Sequence, residues 1–204
     1  MGKSAAKTAK QPLDGSARER LLAAANELFY EEGVHTVGID RVIERAGVAK
    51  ASLYSTFGSK DELIHAYLES RFEARKARIA RRLARHPSPR ERLLAVFDHL
   101  AEVAAEPGFR GCAFLNASAE GAEGGSAGRA ADRVRKVARD SRAWLRGLFT
   151  DLAREAGVRD PEALARQLTL LYDGATVAAS IERDAAAPRA ARATAVALLD
   201  AARV

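Results

Sequence analysis

The chain has 204 residues, a net charge of +6, one Cys and one Trp. One cysteine excludes an internal disulfide and a cysteine-rich zinc site. Charge is scattered along the sequence, so no apolar run reaches the roughly 18 residues of a membrane helix. The 45 alanines favour helix over strand, and the opening MGKSAAKTAK lacks the apolar core of a signal peptide. The expectation is an all-α protein of the cytoplasm.

In chain order, residues 1–14 read as a disordered basic arm carrying Lys3, Lys7 and Lys10. Ser16-Ala17-Arg18-Glu19 is a capping box ahead of an apolar face of Leu21, Leu22, Ala25, Leu28 and Phe29, and Gly33 closes this first helix. A short second helix starts at Ile39 and stops at Gly47, and a third covers about Lys50–Phe57, ended by Gly58. Ser59-Lys60-Asp61-Glu62 opens a fourth, expected to reach Arg85. Ser88-Pro89-Arg90-Glu91 opens a fifth with Ser as cap and Pro at the first helical position; Pro107-Gly108 ends it. The sixth is expected over Ala113–Ala119, followed by a mobile glycine-rich loop at Gly121–Gly128. A seventh fits Arg129–Ala156, an eighth runs from Asp160-Pro161 to about Arg183, and Pro188 opens a ninth.

Residues 36–60 carry the chemistry. Two short helices joined at Ala46-Gly47-Val48 make a helix-turn-helix, and small polar side chains early in the second can enter a major groove. Gly47 permits a left-handed turn and Ala46 a close helix approach. Candidate DNA-contacting residues are Thr36, Gly38, Lys50, Ala51, Ser52, Tyr54, Ser55 and Lys60, with Tyr54 and Lys60 of the types that hold phosphate. The charge does not single out this region. Residues 16–70 are net −3, residues 71–92 are net +7, and 93–204 balance. The basic 71–92 segment reads equally as an interaction surface or as a solvated helix face.

The run ERAGVAKASLYSTFGSKDEL, within residues 16–68, resembles the N-terminal domain of TetR-family transcriptional regulators. The resemblance implies a nine-helix fold with a three-helix DNA-binding domain at 15–60 and a ligand-binding and dimerisation domain at 61–204. Gly38 and Ala49 depart from the family pattern, standing where a hydroxyl residue usually caps a helix. Also implied are binding to a palindromic double-stranded DNA operator as a homodimer, repression, and release by an unknown small-molecule effector. No membrane partner and no cofactor are expected.

The last two helices of the family build the dimer. Here Leu164, Leu168, Leu171, Ala175 and Ala178 form one face, and Ala190, Thr194, Ala197 and Ala201 another; packing within the monomer is the competing reading. A pocket would draw on Phe97, His99, Phe114, Asn116, Trp144, Phe149 and Tyr172, each of which also suits a core. Cys112 beside Arg110 is a possible redox site or an inert thiol. A helical protein-interaction module is a further alternative. The four His are spread without metal spacing, and no nucleotide or nucleophile motif is present, so no metal site and no enzyme are expected.

Overall fold

A computed structural model describes residues 14–123 and 128–202, and among these the chain forms nine helices and no strand. They are α1 (Ala17–Glu32), α2 (Ile39–Ala46), α3 (Lys50–Phe57), α4 (Lys60–Leu83), α5 (Pro89–Ala105), α6 (Ala113–Glu123), α7 (Arg129–Glu155), α8 (Pro161–Glu182) and α9 (Ala186–Ala201). The all-α architecture is the expected one. The arm falls outside the described residues apart from Asp14.

Local chemistry sets most boundaries. Ser16 and Ser88 each form the full capping box with the Glu three residues on, satisfying backbone N–H groups that have no intrahelical acceptor. Asp160 accepts from the Ala163 N–H at 2.9 Å and Pro161 follows at the first helical position. Three boundaries differ from expectation. α4 ends at Leu83, because Arg85 and His86 donate to Arg82 and Leu83 and tighten the last turn. α6 continues through Gly121 to Glu123, so the expected loop is helical in its first three residues, while 124–127 lie outside the described residues. α9 starts at Ala186, two residues before Pro188; a proline in the first turn forgoes no intrahelical bond.

The chain divides into two compact units, one ending at Tyr67 and the other beginning at Leu68, inside α4. In the N-terminal unit, Leu21, Ala24, Ala25, Leu28 and Phe29 of α1 are buried together with Val34, Val37, Val42, Ala46, Leu53, Leu63 and Ile64. Phe29 meets Tyr67 edge-on at 5.6 Å. The first two turns of α4 therefore belong to this core.

In the C-terminal unit α5 is the central element, packed against α7, α8 and α9. Its Leu93–Phe97 run and Leu100 are buried. Phe97 stacks on Phe149 at 5.7 Å, and Tyr172 meets both rings edge-on at 6.0 and 6.5 Å. Burial of three aromatic rings in one place supplies a large share of the hydrophobic stabilisation.

Candidate nucleic-acid interface

α2, the turn and α3 form the expected helix-turn-helix. Gly47 has φ 61°, ψ 42°, the left-handed conformation, and its N–H reaches the Glu44 and Ile43 carbonyls. Arg20 of α1 donates from Nη1 to the Gly47 carbonyl at 3.1 Å, pinning the turn to α1. Leu53 is the buried anchor of α3. On the opposite side Lys50, Ala51, Tyr54 and Ser55 are exposed, Tyr54 by 48% despite its size. Ser52 is half-buried, and Ser55 donates its Oγ proton to the Ser52 carbonyl at 3.2 Å. Thr36 and Gly38 are exposed before α2, and half-buried Lys60 opens α4. Gly38 and Ala49 cap α2 and α3 without a side-chain hydrogen bond. The structure thus brings Lys50, Ala51, Tyr54 and Ser55 onto one face.

Three of this segment's acids are engaged by its own basic side chains. Glu27 of α1 binds Arg45 of α2 at 2.8 Å with both side chains about a fifth exposed (21% and 18%), and Glu32 binds Arg41 through two oxygens at 2.5 and 2.8 Å. These carboxylates tie α1 to α2. Asp40 binds Lys50 at 3.0 Å, both groups being exposed. The hydrogen bond and charge of Asp40 raise the Lys50 ammonium above its ordinary pKa. Arg18 lies over the Phe57 ring at 5.6 Å. Sequence reasoning missed all of these partners. They sit nine, ten, eighteen and thirty-nine residues apart across helix junctions, where no periodicity relates them.

The other sequence candidates lie in the C-terminal unit. Phe97 and Phe149 are fully buried, Phe114 and Tyr172 nearly so, and Trp144 is half-buried. Trp144 and Phe114 flank Phe72 edge-on at 6.0 and 6.2 Å, a second aromatic group distinct from the Phe97 trio. Phe72 was absent from the sequence candidates. Half-buried His99 has its pKa lowered to about 4, by burial first and then by the charge of Arg78. Asn116 is exposed and donates to the Arg110 carbonyl at 2.9 Å. Cys112 is a half-buried free thiol.

Of the residues suggested for subunit contact, Leu164, Leu168 and Ala175 are buried in the chain's own core. Leu171 and Ala178 are half-buried, and Thr194, Ala197 and Ala201 are exposed. The exposed large apolar side chains of α8 are Leu170 (64%), Val177 (45%) and Ile181 (75%), which with exposed Gly174 recur at helical spacing. Among the described residues no group of three or more His, Cys, Asp or Glu could hold a metal ion. No described helix is long and apolar enough to cross a membrane.

Comparison with known proteins matches residues 21–67 to the bacterial regulatory proteins of the tetR family and residues 89–195 to the tetracyclin repressor-like C-terminal domain. A TetR-family transcriptional regulator from Streptomyces coelicolor superposes with a TM-score of 0.83 at 33% identity, over 92% of this chain and 96% of that one. A related TetR-type structure from Streptomyces avermitilis gives 0.77 at 38% identity, over 92% and 98%. The HTH-type transcriptional activator FasR of Mycolicibacterium smegmatis is 37% identical over 81 residues, which is 40% of this chain. The HTH-type regulator HbdR of an Aromatoleum strain is 31% identical over 90 residues, or 44% of this chain. The matched stretch spans well under half of these two relatives' own lengths, 37% and 39%.

Proposed function

Because the chain belongs to the TetR family of DNA-binding transcriptional regulators, we propose that it binds a near-palindromic operator as a homodimer, represses from it, and is released by a small-molecule effector. The observation that carries the DNA contact is the face of α3. Its anchor Leu53 is buried, and Lys50, Ala51, Tyr54 and Ser55 project outward at the spacing a major groove accepts. Thr36, Gly38 and Lys60 flank this face as backbone contacts. The arm of residues 1–14 adds sequence-independent attraction to phosphate. Operation is in the cytoplasm, where the DNA lies.

The dimer is supported by apolar surface left outside the monomer core. Leu170, Val177 and Ile181 of α8 and the small exposed Ala190, Thr194, Ala197 and Ala201 of α9 lie on helices that pack against each other. Large exposed apolar side chains at helical spacing mark an interaction surface, and small ones let axes approach closely. Two-fold symmetry then sets half-sites about one DNA turn apart. α4 passes from one unit to the other at Tyr67–Leu68, so an effector bound in the C-terminal unit alters half-site spacing through it.

Footprinting on the DNA flanking the gene, with and without competitor, tests this. A symmetric protected site of about 20 base pairs is expected; equal binding to unrelated duplex would refute operator recognition. The sign is read from the transcript: repression requires higher expression on loss of the protein. FasR bears the name of an activator, and lower expression would give this chain that sign instead.

A further inference from the structure

On the C-terminal unit's part of α4, Leu68, Phe72, Arg75, Ile79 and Leu83 recur at core-facing spacing. Four are apolar and one is an arginine. Arg75 is half-buried; its Nη1 donates to Ser141 Oγ at 3.0 Å and its guanidinium lies 5.3 Å from the Tyr172 ring centre. Ser141 and Tyr172 are themselves 1% and 7% exposed. Both partners are neutral. Four acids of the surrounding helices bind other bases: Asp98 binds Arg192, Glu102 Arg82, Asp140 Lys136 and Asp173 Arg142. No carboxylate pairs with Arg75 among the described residues. A half-buried guanidinium whose partners are a hydroxyl and an aromatic ring keeps further N–H donors for an acceptor of opposite charge.

We propose that Arg75 and Ser141 form the anion-recognising end of the effector site, and that the effector is an organic anion, a carboxylate attached to an apolar body. The fork of a guanidinium matches a carboxylate in two parallel hydrogen bonds. The apolar body finds Phe72, Trp144 and Phe114 one turn along α4. Beside this site His99 is held below its ordinary pKa by burial first, with the charges of Arg78, Arg82 and Arg75 adding to it against Glu102. The proposal rests on the effector-responsive reading above and gives it a chemical class.

The single Trp144 stands beside Phe72 and reports occupancy by its fluorescence. Octanoate and 3-phenylpropionate are titrated into the full-length protein, each beside its neutral amide. Expected is a saturable change with the acids and at least about tenfold weaker binding of the amides, as for loss of a charge-assisted hydrogen bond. Arg75→Gln keeps a donor for Ser141 and removes the charge; it should abolish the preference for acid over amide. Arg75→Met is the second variant, and its melting curve shows that the unit stays folded. No response to either acid up to about 5 mM, or an acid preference that survives Arg75→Gln, overturns the proposal. DNA release is scored separately by anisotropy. Acids that bind through Arg75 without loosening operator DNA would leave the anion site standing and refute effector release. Release by neutral compounds with no response to the acids would do the reverse.

Discussion

The Asp40–Lys50 pair gives the most direct test of how this chain reads DNA. Lys50 opens α3 on the exposed face, and its ammonium is held 3.0 Å from the Asp40 carboxylate. DNA phosphate must compete with that carboxylate for the same donor. Asp40→Asn keeps size and shape but releases Lys50. Each lysine that gains a phosphate steepens the fall of log affinity against log salt by about 0.9. A dimer with one such lysine per half-site should therefore show a slope steeper by roughly 1.8. Lys50→Ala should leave the slope near that of the wild type or shallower, and adding Asp40→Asn to it should change nothing further. Anisotropy titrations of a labelled duplex at four or five NaCl concentrations measure all four slopes, and the double-mutant cycle isolates the coupling. If Asp40→Asn leaves the slope unchanged, or acts equally in the Lys50→Ala background, Asp40 does not restrain Lys50 and the competition does not exist.

Three further outcomes are expected. His99 titrates near 4 in the folded chain and at its ordinary 6.5 when unfolded. Between those values the unfolded chain binds the extra proton, so stability is full above about pH 6.5 and falls as pH drops toward 4. His99→Gln should flatten urea-unfolding midpoints across that window, and an unaltered acid limb would show that other groups cause it. Gly47→Ala meets only the Arg20 Nη1 at 3.7 Å, but keeps φ +61°; the backbone penalty of roughly 1 kcal/mol should appear as a lower melting temperature and weaker DNA binding together. Leu170→Glu with Ile181→Glu places two charges on already exposed positions, so helicity by circular dichroism should hold while sedimentation shifts from dimer to monomer. Retention of the dimer would move the interface away from this face of α8.

The helices were readable because their ends are local events. Ser16 with Glu19, Ser88 with Glu91, and Gly33, Gly47 and Gly58 each act within a few residues, and the helix-turn-helix lies between such signals. The pairing of Glu27 with Arg45 and Asp40 with Lys50 was not readable, since it depends on how α2 turns against α1 and α3. The stripes on α8 show a different limit. Helical periodicity picks out the strongest apolar face, and that face (Leu164, Leu168, Ala175) fills the monomer core. The weaker row of Leu170, Val177 and Ile181 stood out only once burial was known. Arg75 was hidden in the same way: a charge count over 71–92 cannot tell a solvated arginine from one on the buried side.

Leu53 is the one fully buried side chain of α3. The outward positions, Lys50, Ala51, Tyr54 and Ser55, contribute little to the packing that keeps the helix in place. Substitutions there are mutationally inexpensive for the fold, so new binding preferences can be explored one residue at a time without first stabilising the scaffold. A library randomised at these four sites with Leu53 fixed should yield mostly folded variants, whereas truncation of Leu53 to Ala costs about 2–5 kcal/mol and would deplete it of folded members.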